Sequence, residues 1–373
     1  MTGRVFHLLD EREIFSERDG GAISRWAANA LRDGKEIVVC PDFDASWRFS
    51  TDRIYKMPGW NGVGRFHPIL YRLPWPLQRA WYLRILSALL AQIQSGDIIY
   101  VHNRPACAAA LATVMERGRF RVYLHMHNSM LLQANRGQIQ ALKRVPIVYC
   151  SRFLQQEAER TIAQRFESSY VVYNGADEHI FQPAELRHAD ATTVIFTGRL
   201  VPYKGVHVLL EAMRLLLKSG TAIRCAVVGG SGFGRSRKTQ YVRKLEHMVP
   251  ENCSMLGYRC GAALAEVLKH ASIFCCPSIW NDPFPLAPIE AMAAGLPVVA
   301  SNVGGLPETL AHGGGVLVPP NDPERLAEAL YALATDDQLC KRLARAARQA
   351  FEQHFRWSHV RTQYLHALEE TRP

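Results

Sequence analysis

The sequence contains no run of eighteen or more apolar residues, so no transmembrane helix is expected. It has no C-x-x-C pair, and its nine cysteines are odd in number and lie mostly inside apolar runs. That usage argues against a disulfide framework or a zinc ribbon and for free thiols in a reducing compartment. The opening stretch MTGRVFHLLDEREIF has no basic segment followed by a long apolar one, so no secretory signal is expected and a cytoplasmic location follows. No internal repeat and no low-complexity tract appears, which removes solenoids and disordered tails from consideration. Acidic residues are scarce in one region: from Ser46 to Arg152 there are fifteen Lys/Arg against three Asp/Glu, namely Asp52, Asp97 and Glu116. This local excess is larger than the +10 of the whole chain. It points to an anionic partner (a phospholipid surface, a pyrophosphate-linked acceptor or nucleic acid) or else to a solvated basic face.

What is present fits a globular protein. The chain has 373 residues, 48% hydrophobic and 21% charged, enough for two domains with full cores. Strand-like apolar runs alternate with helical periods from end to end: RVFHLL, EIVVC, DIIYVHN, RVYLHMH, PIVYCS and SYVVYNG, then TVIFTGRL, IRCAVVGG, CSMLGY, SIFCCPS, PVVAS and GGVLVPP. Near-continuous apolar strands separated by helices imply parallel sheets covered on both faces. Two such series predict an α/β protein of two doubly wound, Rossmann-like domains. The polar stretch QPAELRHADAT marks the expected boundary, giving domains over 1–185 and 186–355 and a final helix over 356–373.

Several places carry chemistry. In SIFCCPSIWNDPFPLAPIEAMAAGLPVVASNVGGLPE a strand, a Pro-rich loop and a helix place Asp282 and Glu290 near a helix N-terminus at a sheet edge. Helix N-termini suit phosphate and carboxylates suit sugar hydroxyls, so the pairing suggests a nucleotide-sugar site. In TGRLVPYKG, Arg199 and Lys204 leave a strand before Gly205 opens a helix, and two cations there can neutralise a diphosphate. AVVGGSGFG is a degenerate relative of G-x-G-x-x-G whose backbone can form a phosphate nest or merely a turn. Asp19-Gly20-Gly21 precedes a helix and permits close backbone approach to a ligand, or is an ordinary turn. His125 and His127 alternate on one strand face, with Asn128 beside them. A His-x-His pair can bind metal, but no third ligand has an obvious spacing, and a core histidine is the plain alternative for His125. Asp42-x-Asp44 reads as a polar loop rather than a metal-diphosphate site.

Taken together, TGRLVPYKG, NDPFPLAPIEAMAAGLPVVAS and NVGGLPE resemble retaining glycosyltransferases of the GT-B fold, family GT4. DGGAISRWAANAL, RVYLHMHN and YNGADEHIFQP fit the same family in the same order, so the resemblance covers nearly the whole chain. It implies that Arg199 and Lys204 hold the donor diphosphate and that Glu290 meets the nucleotide ribose. Asp282, standing where the family has Glu, would meet sugar hydroxyls. The usual P-F-G-L reads P-F-P-L here, with Pro285 for Gly, and the backbone from Phe284 through Pro285 and Leu286 to Ala287 would lie along sugar and diphosphate. Gly20, Gly21, Gly198, Gly229 and Gly230 complete the donor side, and His127 is the cleft histidine. Asn128 and Arg104 are assigned to the acceptor. The implied reaction transfers a sugar, from a UDP-sugar or other nucleoside diphosphate sugar, to a hydroxyl with retention and without a bound metal or other cofactor.

The stretch RFHPILYRLPWPLQRAWYLRILSALLAQIQ interleaves aromatics with Arg65, Arg72, Arg79 and Arg84 ahead of an amphipathic helix. It predicts peripheral contact with the inner face of the cell membrane and an anionic or lipid-linked glycan acceptor, in surface polysaccharide or glycolipid synthesis; a core helix with solvated arginines is the alternative. Three other functions remain open: a nucleotide-sugar epimerase of the same fold, an NAD-type oxidoreductase using the Gly230 loop, and a nucleic-acid-binding protein. The oxidoreductase lacks a well-placed fingerprint. Nucleic-acid binding leaves Arg199, Lys204, Asp282 and Glu290 unexplained, so no nucleic-acid partner is expected.

Overall fold

The computed structural model describes residues 3–11, 13–16, 21–31, 34–41, 53–57, 60, 70, 72–115, 119–164, 166, 168–184, 192–232 and 238–370. Gly20, Asp42, Asp44, Arg65 and Gly234 lie outside these. The chain divides into two compact units, Met1–Tyr173 with Arg361–Pro373, and Asn174–Val360.

In the first unit the strands are β1 (Val5–Leu8), β2 (Glu36–Pro41), β3 (Ile54–Met57), β4 (Asp97–His102), β5 (Phe120–Met126), β6 (Ile147–Tyr149) and β7 (Ser169–Val171). They pair in parallel in the order β3-β2-β1-β4-β5-β6-β7. In the second unit β8 (Thr192–Thr197), β9 (Ile223–Val228), β10 (Cys253–Gly257), β11 (Ile273–Cys276), β12 (Val298–Ser301) and β13 (Gly315–Val318) form a parallel sheet in the order β10-β9-β8-β11-β12-β13. Both orders are doubly wound, with a reversal beside β1 in one sheet and β8 in the other. Loops on either side of such a reversal diverge and leave a crevice at the carboxyl ends of the strands.

The central strands are apolar because helices cover both faces. The helix Val206–Lys218 buries Val206, Leu209, Leu210 and Met213, which join Val194, Phe196 and Val227 in one core. Each such aliphatic side chain contributes roughly 1.5–3 kcal/mol of burial free energy. The edge strand β3, IYKM, is partly exposed and includes Lys56. An edge strand of this kind has no continuous apolar run, and the sequence reading accordingly does not find it.

The unit boundary also differs from the expectation at 185. Asn174 Nδ2 donates to Phe284 O at 3.1 Å, Ala176 N donates to Phe355 O at 3.1 Å, and Arg348 Nη1 donates to Phe181 O at 3.4 Å. These bonds place 174–181 in the second unit. The last helix, Trp357–Glu370, starts in the second unit and from Arg361 onward packs in the first. There Arg361 donates to Ala30 O and Glu36 Oε1, and Tyr123 Oη donates to Leu368 O at 3.3 Å.

Glycines set the closest approaches between loops. Gly205 has φ +70°, and a Cβ on it would lie 1.8 Å from Pro277 O. Gly220 has nearly the same φ, +74°, with nothing within 4 Å of a Cβ. Gly220→Ala should therefore cost only the left-handed strain of about 1–2 kcal/mol. Gly205→Ala should cost about 1–3 kcal/mol more, because the strand-end loop must move. Urea unfolding of the two variants checks the difference; equal losses would mean that the Pro277 loop yields freely.

Candidate functional site

At the reversal in the second sheet, β8 runs into the loop holding Arg199 and Lys204, and β11 runs into the loop holding Asp282. The two loops are tied together. Ile279 N donates to Tyr203 O at 3.0 Å, the Tyr203 and Trp280 rings meet edge to face at 5.2 Å, and the Lys204 ammonium is ion-paired with the Asp282 carboxylate. Burial works against the ammonium, but the charge and hydrogen bond of Asp282 and the nearby Cys276 outweigh it, so Lys204 ends above the ordinary lysine range. Lys204 is thus a fixed cation at neutral pH. Arg199 lies beside it, its guanidinium carbon 5.6 Å from the Tyr203 ring centre.

Asp282 is held from the other side by the Gly-Gly turn. Gly305 N donates to Asp282 O at 2.8 Å, and Gly304 sits at φ +58° where a Cβ would fall 2.3 Å from the same oxygen. The turn that the sequence shows as NVGGLPE is therefore the rest on which the carboxylate loop lies. Phe284 is buried and its carbonyl accepts from Asn174, a residue that sequence reading did not single out. The helix Leu286–Ala293 follows, capped by Pro285 with no side-chain bond. Pro285 and Pro288 have no N–H, so Leu286 and Ala287 supply the first-turn amides. Glu290 lies on the same helix with 6% exposure.

The predicted glycines lace the neighbouring strand ends. Gly198 N donates to Val228 O at 3.0 Å and Leu200 N to Gly230 O at 2.8 Å. A Cβ on Gly229 would lie 1.8 Å from Gly198 O. The second unit thus gathers Gly198, Arg199, Lys204, Gly229, Gly230, Asp282 and the 284–290 segment at one sheet edge.

The first unit brings together the other predicted residues at its own reversal. Gly21 caps the helix Ala22–Ala30, but its N–H is engaged: Glu13 Oε1 accepts from Gly21 N at 2.9 Å, Ser24 N at 3.2 Å and Ser24 Oγ at 2.7 Å. Burial raises the Glu13 carboxyl despite these bonds. Arg104 is 3% exposed, and its guanidinium pairs with Glu11 and Asp10. The structure therefore gives Arg104 the task of tying the end of β4 to the end of β1, rather than offering it as a free cation to an acceptor. Asn128 caps the short turn Ser129–Gln133 through Met130 N, at 3.0 Å.

His127 belongs to a larger group. His7, Tyr100, His102, Tyr123 and His125 share one face of the sheet by alternation and register, His7 opposite Tyr100 and His102 opposite His125. Trp26 and Tyr364 cover them, Trp26 stacked on Tyr100 at 5.7 Å. Burial drives every imidazole in this layer toward the neutral form: His7 and His127 are pushed down to about 3, and His102 and His125 well below the usual value. The rings satisfy one another by hydrogen bonds, His7 Nδ1 to His102 Nε2 at 3.2 Å and His102 Nδ1 to His127 Nε2 at 3.0 Å. His102 thus appears as the third histidine that sequence spacing did not reveal, and ring nitrogens of His102, His125 and His127 lie within 4.8 Å of one another. A metal there would require His102 to give up a ring hydrogen bond, and the group contains no carboxylate to offset a buried dication.

Comparison with known proteins agrees with this fold. Residues 178–350 match the family model for glycosyl transferases group 1. Spore coat protein SA of Bacillus subtilis is 27% identical over 303 residues, covering 74% of this chain and 79% of that protein. The D-inositol 3-phosphate glycosyltransferase of Streptomyces avermitilis is 36% identical over 205 residues, covering 48% of this chain and 41% of that protein. Anabaena HepE, solved in complex with UDP and glucose, superposes with a TM-score of 0.73 at 20% identity, covering 98% of this chain and 99% of that one. The chain has the GT-B fold, two Rossmann-like units each built on a parallel sheet. The segment 178–350 is similar to glycosyl transferases group 1, a class that transfers sugars.

Because burial keeps His127 uncharged down to about pH 3, its protonation should leave no mark on activity between about pH 5 and 8. The expected result is that His127→Asn leaves the shape of the pH–rate profile unchanged. A limb near the ordinary histidine value that vanishes in the variant would overturn the assignment of a neutral His127.

Proposed function

We propose that the protein is a retaining glycosyltransferase of family GT4. It moves a sugar from a nucleoside diphosphate sugar, a UDP-sugar in the first instance, to a hydroxyl of an anionic or lipid-linked glycan acceptor. The observation that carries this reading is the Lys204–Asp282 ion pair at the strand-order reversal, with Arg199 and the first-turn amides of Leu286–Ala293 around it. Cation and carboxylate are the two groups that a diphosphate and a sugar respectively require, and here each occupies the other. Arrival of a donor exchanges that pair: the diphosphate takes Lys204, and the Asp282 carboxylate is released to sugar hydroxyls. Glu290 meets the ribose. The solved complex of HepE, which shares the fold, supports UDP as the nucleotide to try first.

As the glycosidic bond breaks, negative charge grows on the leaving diphosphate. Arg199, Lys204 and the helix amides are already in place to receive it, and such preorganised charge is the largest catalytic term in most enzymes. Two side-chain cations and a helix terminus perform the neutralisation that a divalent ion performs elsewhere, so the reaction needs no metal. Lys204→Ala should lower kcat by about 10²–10³ with the fold intact. A fully active variant would remove Lys204 from the site.

Thermal-shift measurements with UDP, GDP, ADP and dTDP should show stabilisation by one of them, lost in Glu290→Ala. No shift with any of the four would count against the donor assignment.

The acceptor side remains with the basic first unit. On the helix Trp75–Ile85, Leu77 is 55% exposed, with Arg84 exposed two turns along the same face and Arg79 exposed on another side. No helix among the described residues is long and apolar enough to cross a membrane. We assign this face to peripheral contact with the cytoplasmic face of the cell membrane, in synthesis of a surface polysaccharide or glycolipid. The protein should float with anionic liposomes and fail to float with neutral ones; equal behaviour with both would refute the contact.

A further inference from the structure

The histidine layer has a direction. Tyr364 Oη and His7 Nε2 are 3.2 Å apart, His7 Nδ1 and His102 Nε2 3.2 Å, and His102 Nδ1 and His127 Nε2 3.0 Å. A neutral imidazole has one N–H and one lone pair, on different nitrogens. The direction of one link therefore dictates the next, and the chain has only two arrangements. In one, Tyr364 donates and His127 presents an N–H at Nδ1. In the other, His127 donates into the chain and Nδ1 holds a lone pair. A phenol is the better hydrogen donor and an imidazole nitrogen the better acceptor, as their acidities require. This selects O–H from Tyr364 into His7 Nε2 and Nδ1–H on His7, His102 and His127. His127 Nδ1 is buried and has no hydrogen-bond partner among the described residues. It is the open end of the chain, at the carboxyl end of β5.

We infer that His102 and His7 are positioning residues, and that with the Tyr364 hydroxyl they hold His127 in the Nδ1–H tautomer, as a neutral donor to an oxygen lone pair of the bound substrate. The inference rests on the reading of His127 as a residue of the glycosyl-transfer site. It assigns to the first unit a donor that gives a hydrogen bond while uncharged near neutral pH.

The test has two readouts. Long-range ¹⁵N–¹H correlation on protein labelled at histidine ring nitrogens reports each tautomer without substrate. The expected spectrum shows Nδ1–H at His7, His102 and His127, and a changed His127 tautomer in Tyr364→Phe, which keeps the aromatic ring. An Nε2–H tautomer at His127, or an unchanged one in Tyr364→Phe, would overturn the inference. So would a stoichiometric metal ion in the purified protein coordinated by His102, His125 and His127. Kinetics supply the second readout. His102→Phe should lower kcat by about ten-fold, the worth of one hydrogen bond, with donor KM little changed, and His102→Gln should recover part of the loss. Predicted tautomers with kcat unmoved by His102→Phe would reduce the chain to a structural feature. If no sugar transfer is found at all, the spectra still decide the tautomers, so failure of the function and failure of this inference are separable.

Discussion

Everything at the candidate site follows from the reversal of strand order in a parallel sheet. Consecutive βα units on one side of β8 wind one way and those beyond β11 wind the other, so the loops leaving these adjacent strands turn apart. The space between them cannot be filled by main chain. The protein places there a lysine paired with an aspartate, an arginine beside them, and glycines whose missing side chains let the loops lie against each other. The chemistry is thus a consequence of topology: the same residues on loops leaving strands wound in one direction would not converge.

The first unit solves a different problem with the same topology. Its sheet face is lined by imidazoles and phenols where an ordinary core would hold leucine and valine. Buried polar rings are costly unless paired, and here several of the ring nitrogens pair with one another. The result is an interior that is largely buried and uncharged yet directional. The Arg104, Glu11 and Asp10 cluster is the counterpart at the strand ends, where charge is present and neutralised within a few ångströms.

Much of this could be read from the chain alone. Continuous apolar runs separated by helical periods yield two doubly wound units because parallel strands covered on both faces must be apolar throughout. The ends Thr197–Gly205 and Cys276–Glu290 carry charged and glycine residues where the pattern breaks, and these are the residues that meet. The features that stay hidden depend on contacts between distant positions. His7 and His102 are separated by 95 residues, and nothing local marks either as a partner. Glu13 closes the helix start at Gly21 from eight residues away, outside any capping-box spacing. The partly exposed strand β3 escapes because its four residues, IYKM, are broken by Lys56 and make no continuous apolar run. The boundary between units escapes because polarity records exposure, whereas the unit to which 174–184 belongs is set by a few hydrogen bonds.

The last helix has a consequence for how the protein is made. Tyr364 closes the aromatic layer over His7 and Trp26, Arg361 ties down Glu36 and Ala30, and Leu368 O receives Tyr123. All three come from the final turns of the chain, after the whole second unit. During synthesis the first unit therefore emerges with its histidine layer covered by Trp26 but not by Tyr364, and it cannot complete its interior until residues 361–370 have followed the second unit. The second unit needs no such return and is free to fold as soon as it is exposed. The order of folding is in this sense opposite to the order of synthesis.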